Sequence, residues 1–196
     1  LRKRVHHVVR RAPAPAELAR AAALIRAKRK PLVICGGGVR YAGAERALEA
    51  FCAALNIPFA ETQAGKGVVP WDHPFNLGGI GVTGTLAANT VARQADLVIG
   101  IGTRLGDFTT ASKWLFQHPK VEFLTVNVNS FDAHKMGALP VIADAKATLD
   151  ALTKALTKAG YRSAYTRQIR DARTQWTAEV DRLYAEDDPA GLSQTR

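Results

Sequence analysis

Two cysteines, one methionine and a 7% share of aromatic side chains are all that these 196 residues offer toward disulfide frameworks, thiolate metal sites or stacking surfaces. Cys35 and Cys52 cannot build a disulfide scaffold or a four-thiolate zinc site, so a reducing, cytoplasmic setting is the expectation. No apolar run approaches the ~18 residues that would span a bilayer. Nor does the start show a charged segment followed by an apolar one, the mark of a secretory signal. No G-x-S-x-G elbow surrounds Ser112 or Ser163. Gly65-Lys66-Gly67 lacks the rest of a P-loop, because residue 60 is Ala and residue 67 is Gly. The histidines, His6, His7, His73, His118 and His134, are scattered without a pair at metal-ligand spacing. Helix caps and solvent contacts account for them, and no metal site is expected.

Acidic residues are scarce at one end only. The formal charge is +10, yet residues 1–30 hold ten Lys or Arg against the single acid Glu17, which leaves the rest of the chain nearly neutral. A basic arm can lie on phosphate backbones, but this one carries no interleaved aromatics to stack on bases. A solvated connector, or one lying on an acidic neighbouring domain, is the better reading, without nucleic acid and without membrane. The chain opens at Leu1 inside this charged stretch, as an excised piece of a longer protein would.

Short apolar runs alternating with amphipathic stretches begin near residue 15. The pattern predicts helices over 16–29, 44–55, 86–94, 146–158 and 165–184, with a short one near 112–116. It predicts strands over 32–35, 58–61, 97–101, 121–128 and 140–142, and a long glycine-rich loop over 62–85. Gly160 suits the left-handed position that ends the 146–158 helix. Strands without polar alternation, each followed by a helix, give a doubly wound α/β domain. Its sheet is mainly parallel, of five or six strands, with helices on both faces and right-handed crossovers. Ligands bind such folds beyond the carboxyl ends of the strands, where the glycines of this chain lie.

Two of those glycine turns carry candidate chemistry. Gly36-Gly37-Gly38 follows a strand and precedes a helix, but the third glycine of the dinucleotide fingerprint is missing: residue 41 is Tyr. Glu61 stands at roughly the ribose-binding distance beyond the turn, a weak signal alone. A tight turn without ligand and a nucleotide site fit it equally. Gly100–Phe108 (GIGTRLGDF) presents Thr103, Arg104 and Asp107 at a strand's carboxyl edge. An arginine there grips a diphosphate or carboxylate, or pairs with an acid to hold the loop. Cys35, inside an apolar strand, reads as a packing residue. No residue of the chain reads as catalytic.

Taken in order, several segments resemble the central domain of thiamine-diphosphate enzymes of the acetohydroxyacid synthase type. They are residues 31–38 (PLVICGGG), 57–62 (IPFAET), 66–67, 73–85 (HPFNLGGIGVTGT), 95–108 (ADLVIGIGTRLGDF), 126–129 (VNVN), Lys135 and 143–145 (ADA). The resemblance covers about residues 13–156. A narrower set, residues 4–7 (RVHH), 61–67, 71–74 (WDHP), 81–85 and 107–110 (DFTT), is similar to the branch of that family that hydrolyses a carbon–carbon bond of a cyclic 1,2-dione in inositol catabolism.

The resemblance implies a larger oligomeric parent enzyme whose thiamine diphosphate and Mg are held by flanking domains, the cofactor serving as electron sink. This piece alone would be inactive. Residues 1–12 become a basic linker from a preceding domain, 13–160 the central domain, and 161–196 a helical linker toward a following one. Relatives bind FAD or ADP here, which would fall to Gly36, Gly37, Gly38, Thr103, Arg104 and Asp144. This sequence departs from them with Asn127 and Asn129 in place of two acids and Ala143 in place of a glycine, so a nucleotide (FAD, ADP or NAD) stays an open alternative. Asp107 and Phe108 match a loop that walls the substrate site, with Phe108 replacing an arginine that grips a keto acid. Gly106-Asp107 with Asn127 or Asn129 imitates the family's Mg motif, but residue 108 is Phe and the placement is wrong.

Overall fold

Apolar runs of this kind need a neighbour on each edge and cover on both faces. The computed structural model, which describes residues 9–185, supplies both. Six strands form one sheet: β1 (Pro31–Cys35), β2 (Phe59–Glu61), β3 (Asn76–Gly79), β4 (Leu97–Ile101), β5 (Glu122–Asn127) and β6 (Leu139–Ile142). The helices are α1 (Pro15–Arg26), α2 (Gly37–Tyr41), α3 (Glu45–Leu55), α4 (Leu86–Gln94), α5 (Asp107–Thr110), α6 (Ser130–Ala133), α7 (Ala145–Lys158) and α8 (Gln168–Ala185). The strand order is β3-β2-β1-β4-β5-β6 and every pairing is parallel. The fold is the expected α/β class, with six strands and no antiparallel member among the described residues.

Period-two alternation sorts β1 and β4 between two cores. Val33, Cys35, Leu97, Ile99 and Ile101 face α1, α3 and α7, while Leu32, Ile34 and Val98 face α4 and α8. Helix α3 shows why these segments fold as they do. Leu48, Phe51, Cys52 and Leu55 recur at helical spacing and are all fully buried, each large side chain contributing about 1.5–3 kcal/mol. Asn56 ends the helix in the left-handed region at φ 57°. Thr85 caps α4, accepting from Ala88 N–H at 3.0 Å, and Asp144 caps α7, accepting from Ala147 N–H at 3.0 Å. Gly160, at φ 67°, follows the end of α7 as expected.

Three local expectations change. The 62–85 stretch contains β3, a short edge strand whose Asn and two glycines hide any strand signal, paired to β2 with a register shift. A helical turn, α2, starts inside the glycine turn. The short helix expected near 112–116 lies earlier, at α5, because Ala111, Ser112 and Lys113 are left-handed with φ of 47°, 53° and 71° and cannot continue a right-handed helix.

The segment after α7, expected to begin a linker, is tied across the amino ends of the strands. Ser163 and Ala164 donate N–H groups to the carbonyls of Leu55 and Arg29 at 2.9 and 2.7 Å. The hydroxyls of Tyr161 and Tyr165 reach the carbonyls of Lys28 and Lys30 at 3.0 and 3.2 Å. Helix α8 then packs on α4 and β3, burying Ile169 and Ala172. Most of the basic arm (residues 1–8) and residues 186–196 lie outside the described residues. Among those described, no helix is long and apolar enough to cross a membrane.

Candidate functional site

The chain leaves β1 toward one sheet edge and β4 toward the other, so a crevice opens beyond their carboxyl ends. A cavity of about 450 Å³ lies there, and Gly36, Gly37, Gly38, Thr103, Arg104, Asp107 and Phe108 all line it. Seven of the eight candidate site residues therefore converge on one wall. A larger hollow, about 640 Å³, runs beside Pro74 and α8 and holds none of them.

The floor of the 450 Å³ cavity is made by two glycine turns in backbone contact. A Cβ on Gly38 would lie 2.6 Å from the Cα of Gly102, and one on Gly36 would lie 2.3 Å from the Gly102 carbonyl oxygen. The amides of Gly36 and Gly38 are consumed by the carbonyls of Ile101 and Gly102 at 2.9 and 3.0 Å. The glycines are thus explained by close packing, and two of the donors that a phosphate would need are already used.

Thr103 is buried, with its carbonyl accepting from Asn127 Nδ2 at 3.0 Å and its Oγ1 accepting from Leu105 N–H at 3.4 Å. Arg104 is exposed and forms no hydrogen bond or ion pair with any described residue, leaving its charge at the cavity mouth. Asp107 opens α5 with its carboxylate exposed, and Phe108 is half-exposed beside it. Asp144, expected at the same nucleotide site, is not on this wall. It caps α7 and pairs with Arg10 at 2.9 Å, and Arg10 also donates to the Ala42 carbonyl.

Gln63, Tyr41 and Lys135 line the cavity without having been nominated for it from residue patterns. The first two follow the carboxyl ends of β2 and β1, which the switch-point rule alone points to. Lys135 pairs with Asp132 at 2.9 Å and sits 5.2 Å above the Phe131 ring. Glu61, at ribose-binding distance in sequence, is buried and faces its own loop, accepting from Gly67 N–H at 3.2 Å. Burial pushes its carboxyl above the ordinary range, opposed by the Gly67 amide, the Lys66 charge and Asn76. Burial first, and the Glu61 charge second, drive the Cys35 thiol far up, which makes it a packing group and not a nucleophile.

No three His, Cys, Asp or Glu side chains among the described residues gather as a metal site would require. The motif imitated by Asp107, Asn127 and Asn129 dissolves in three dimensions. Asn127 holds Thr103, Asn129 caps α6 through Phe131 N–H at 3.0 Å, and Asp107 starts α5. A Mg-diphosphate does not fit these residues, and no chemical step is assigned to them.

Residues 18–152 match the family model described as thiamine pyrophosphate enzyme, central domain. Proteins named 3D-(3,5/4)-trihydroxycyclohexane-1,2-dione hydrolase from Bacillus cereus (strain AH820), Bacillus anthracis (strain CDC 684 / NRRL 3495) and Bacillus thuringiensis (strain Al Hakam) are each 57% identical to this chain over 182 residues. That similarity covers 93% of the chain but 28% of each relative, so the chain spans less than a third of the curated relatives it matches. The match spans well over half of the chain, and the chain belongs to the thiamine pyrophosphate enzyme family as its central domain.

Proposed function

We propose that this chain is the structural central domain of a larger hydrolase that cleaves a carbon–carbon bond of 3D-(3,5/4)-trihydroxycyclohexane-1,2-dione in inositol catabolism. The observation that carries the reading is the 57% identity to hydrolases of that name. The parent is a cytoplasmic homo-oligomer in which flanking domains hold thiamine diphosphate and Mg; the cofactor supplies an electron sink for the bond cleavage. This domain contributes a wall. Phe108 offers an uncharged, half-exposed ring face at the cavity edge, which suits a neutral polyol ring better than a keto acid's carboxylate. A phenyl there also excludes water from one side of the substrate. On this reading the segment alone is inactive, since the cofactor and metal belong to the flanking domains. Assay of the dione with the full-length enzyme and with this chain alone, both with thiamine diphosphate and Mg, tests the reading. Turnover by the full-length protein only is expected; turnover by this chain sinks the assignment of a structural role.

A second reading, a working site for FAD, ADP or NAD, is favoured by one observation: Arg104 stands unpaired among the described residues at the cavity mouth. Against it stand the consumed amides of Gly36 and Gly38 and the capture of Asp144 by Arg10. A saturable rise in melting temperature with one of these nucleotides decides for the site; a flat response with all three decides against it.

A further inference from the structure

Asp107 and Phe108 stand on α5, a helix of four residues, too short to hold itself in place. It runs directly into the left-handed residues Ala111, Ser112 and Lys113, a conformation that L residues leave readily. The position of this wall therefore depends on contacts from outside it. Toward β3, that contact is Val82 N–H donating to the Phe108 carbonyl at 3.0 Å. Beside it the carbonyls of Phe108 and Thr109 lie so close to Gly81 that a Cβ there would sit 2.1 and 2.8 Å from them.

Gly81 is itself gripped at both backbone groups by one side chain. Asn89 Oδ1 accepts from Gly81 N–H at 3.1 Å, and Asn89 Nδ2 donates to the Gly81 carbonyl at 2.9 Å. Asn89 sits on α4, whose Ala88 and Ala92 are fully buried in the core. A fixed helix thus holds a turn, and the turn holds the wall. We infer that Asn89 is a positioning residue that sets, through Gly81 and Val82, where α5 carries Asp107 and Phe108 in the cavity. The geometry stands on its own; its consequence for substrate rests on the dione-hydrolase reading above.

Amide hydrogen exchange and chemical shifts, followed by NMR on the 196-residue chain, test the relay. In Asn89→Ala, the Gly81 and Val82 amides are expected to exchange about tenfold faster or more, and the resonances of residues 107–110 to move. Gly81→Ala, which pushes α5 from the same side with Asn89 intact, is expected to move the same resonances. The isosteric Asn89→Asp keeps the acceptor and loses the donor, and is expected to restore part of the Gly81 protection. Leu152→Val, in the opposite layer, is expected to lower stability without either change. Unmoved resonances at 107–110 in both Asn89→Ala and Gly81→Ala, or protection lost evenly across the sheet, overturn the inference. In the full-length enzyme, both variants are expected to raise KM for the dione about tenfold with kcat nearly unchanged. Moved resonances with an unchanged KM leave the relay standing and remove α5 from the substrate wall.

Discussion

Gly38 and Gly102 meet backbone to backbone, and at that spacing the absent side chain is what each residue contributes. Gly38→Ala sets a Cβ 2.6 Å from the Gly102 Cα, where no side chain can swing aside. The expected loss is about 3 kcal/mol, a fall in Tm of roughly 6–12 °C for a chain this size, read by calorimetry. Gly106→Ala, with open space around the position, is expected to stay within about 1 kcal/mol. Glu61 supplies a pH test. Its folded-state carboxyl is raised by burial, so the fold favours the protonated form. Stability from this group is therefore highest below the ordinary value of 4.5 and declines as pH rises through the raised folded value, above which it levels off. Glu61→Gln is expected to flatten that part of the Tm-against-pH curve; an unchanged slope would place the titration elsewhere. The glycines at 36–38 and 102 are visible in the sequence as a place, but not as a purpose. Ligand approach and backbone packing ask for the same residue, and only the contacts of Gly36 and Gly38 with Gly102, and of Gly37 with Ala64, separate them. Asp144 is legible as a cap before a helix, whereas its pairing with Arg10, 134 positions away, follows from no local pattern.

Among the elements, β1 and β4 announce themselves because each is a five-residue apolar run buried throughout. β3 does not, since an edge strand of sequence NLGG has neither alternation nor β-branching and is set by its neighbour β2. The shift of α5 from its expected place has a similar cause. Residues 111–113 have acceptable helix propensities, yet tertiary anchors at Leu105 and Leu115, both buried, bend the backbone between them into the left-handed region. That conformation costs an L residue roughly 1–2 kcal/mol, of which glycine recovers part after its own entropy loss. Lys113→Gly, at an exposed position, is expected to stabilise the chain by about 0.5 kcal/mol, seen as a higher urea midpoint at constant slope. Destabilisation would mean that the lysine side chain holds the turn.

For the whole molecule, the alternation of strand and helix fixes a doubly wound sheet, and β1 beside β4 fixes where its crevice lies. The outer extent of the core is less legible. A helix such as α8, with a low apolar content and a run of polar residues, reads as a connector, but its first turns complete the layer over α4. Ile169→Ala is expected to cost about 2–4 kcal/mol in equilibrium denaturation, close to a core substitution; a cost under about 1 kcal/mol would mark α8 as peripheral. The strap that brings α8 there has a consequence in time as well as in energy. Tyr161 and Tyr165 bond to carbonyls 133 and 135 positions earlier, so these contacts close nearly the full loop of the domain and belong among the last to form. Until residue 172 has left the ribosome, the part of α4 that α8 covers stays open. The nascent domain then carries its sticky side longest at the end of its synthesis, when a folding helper has most to protect.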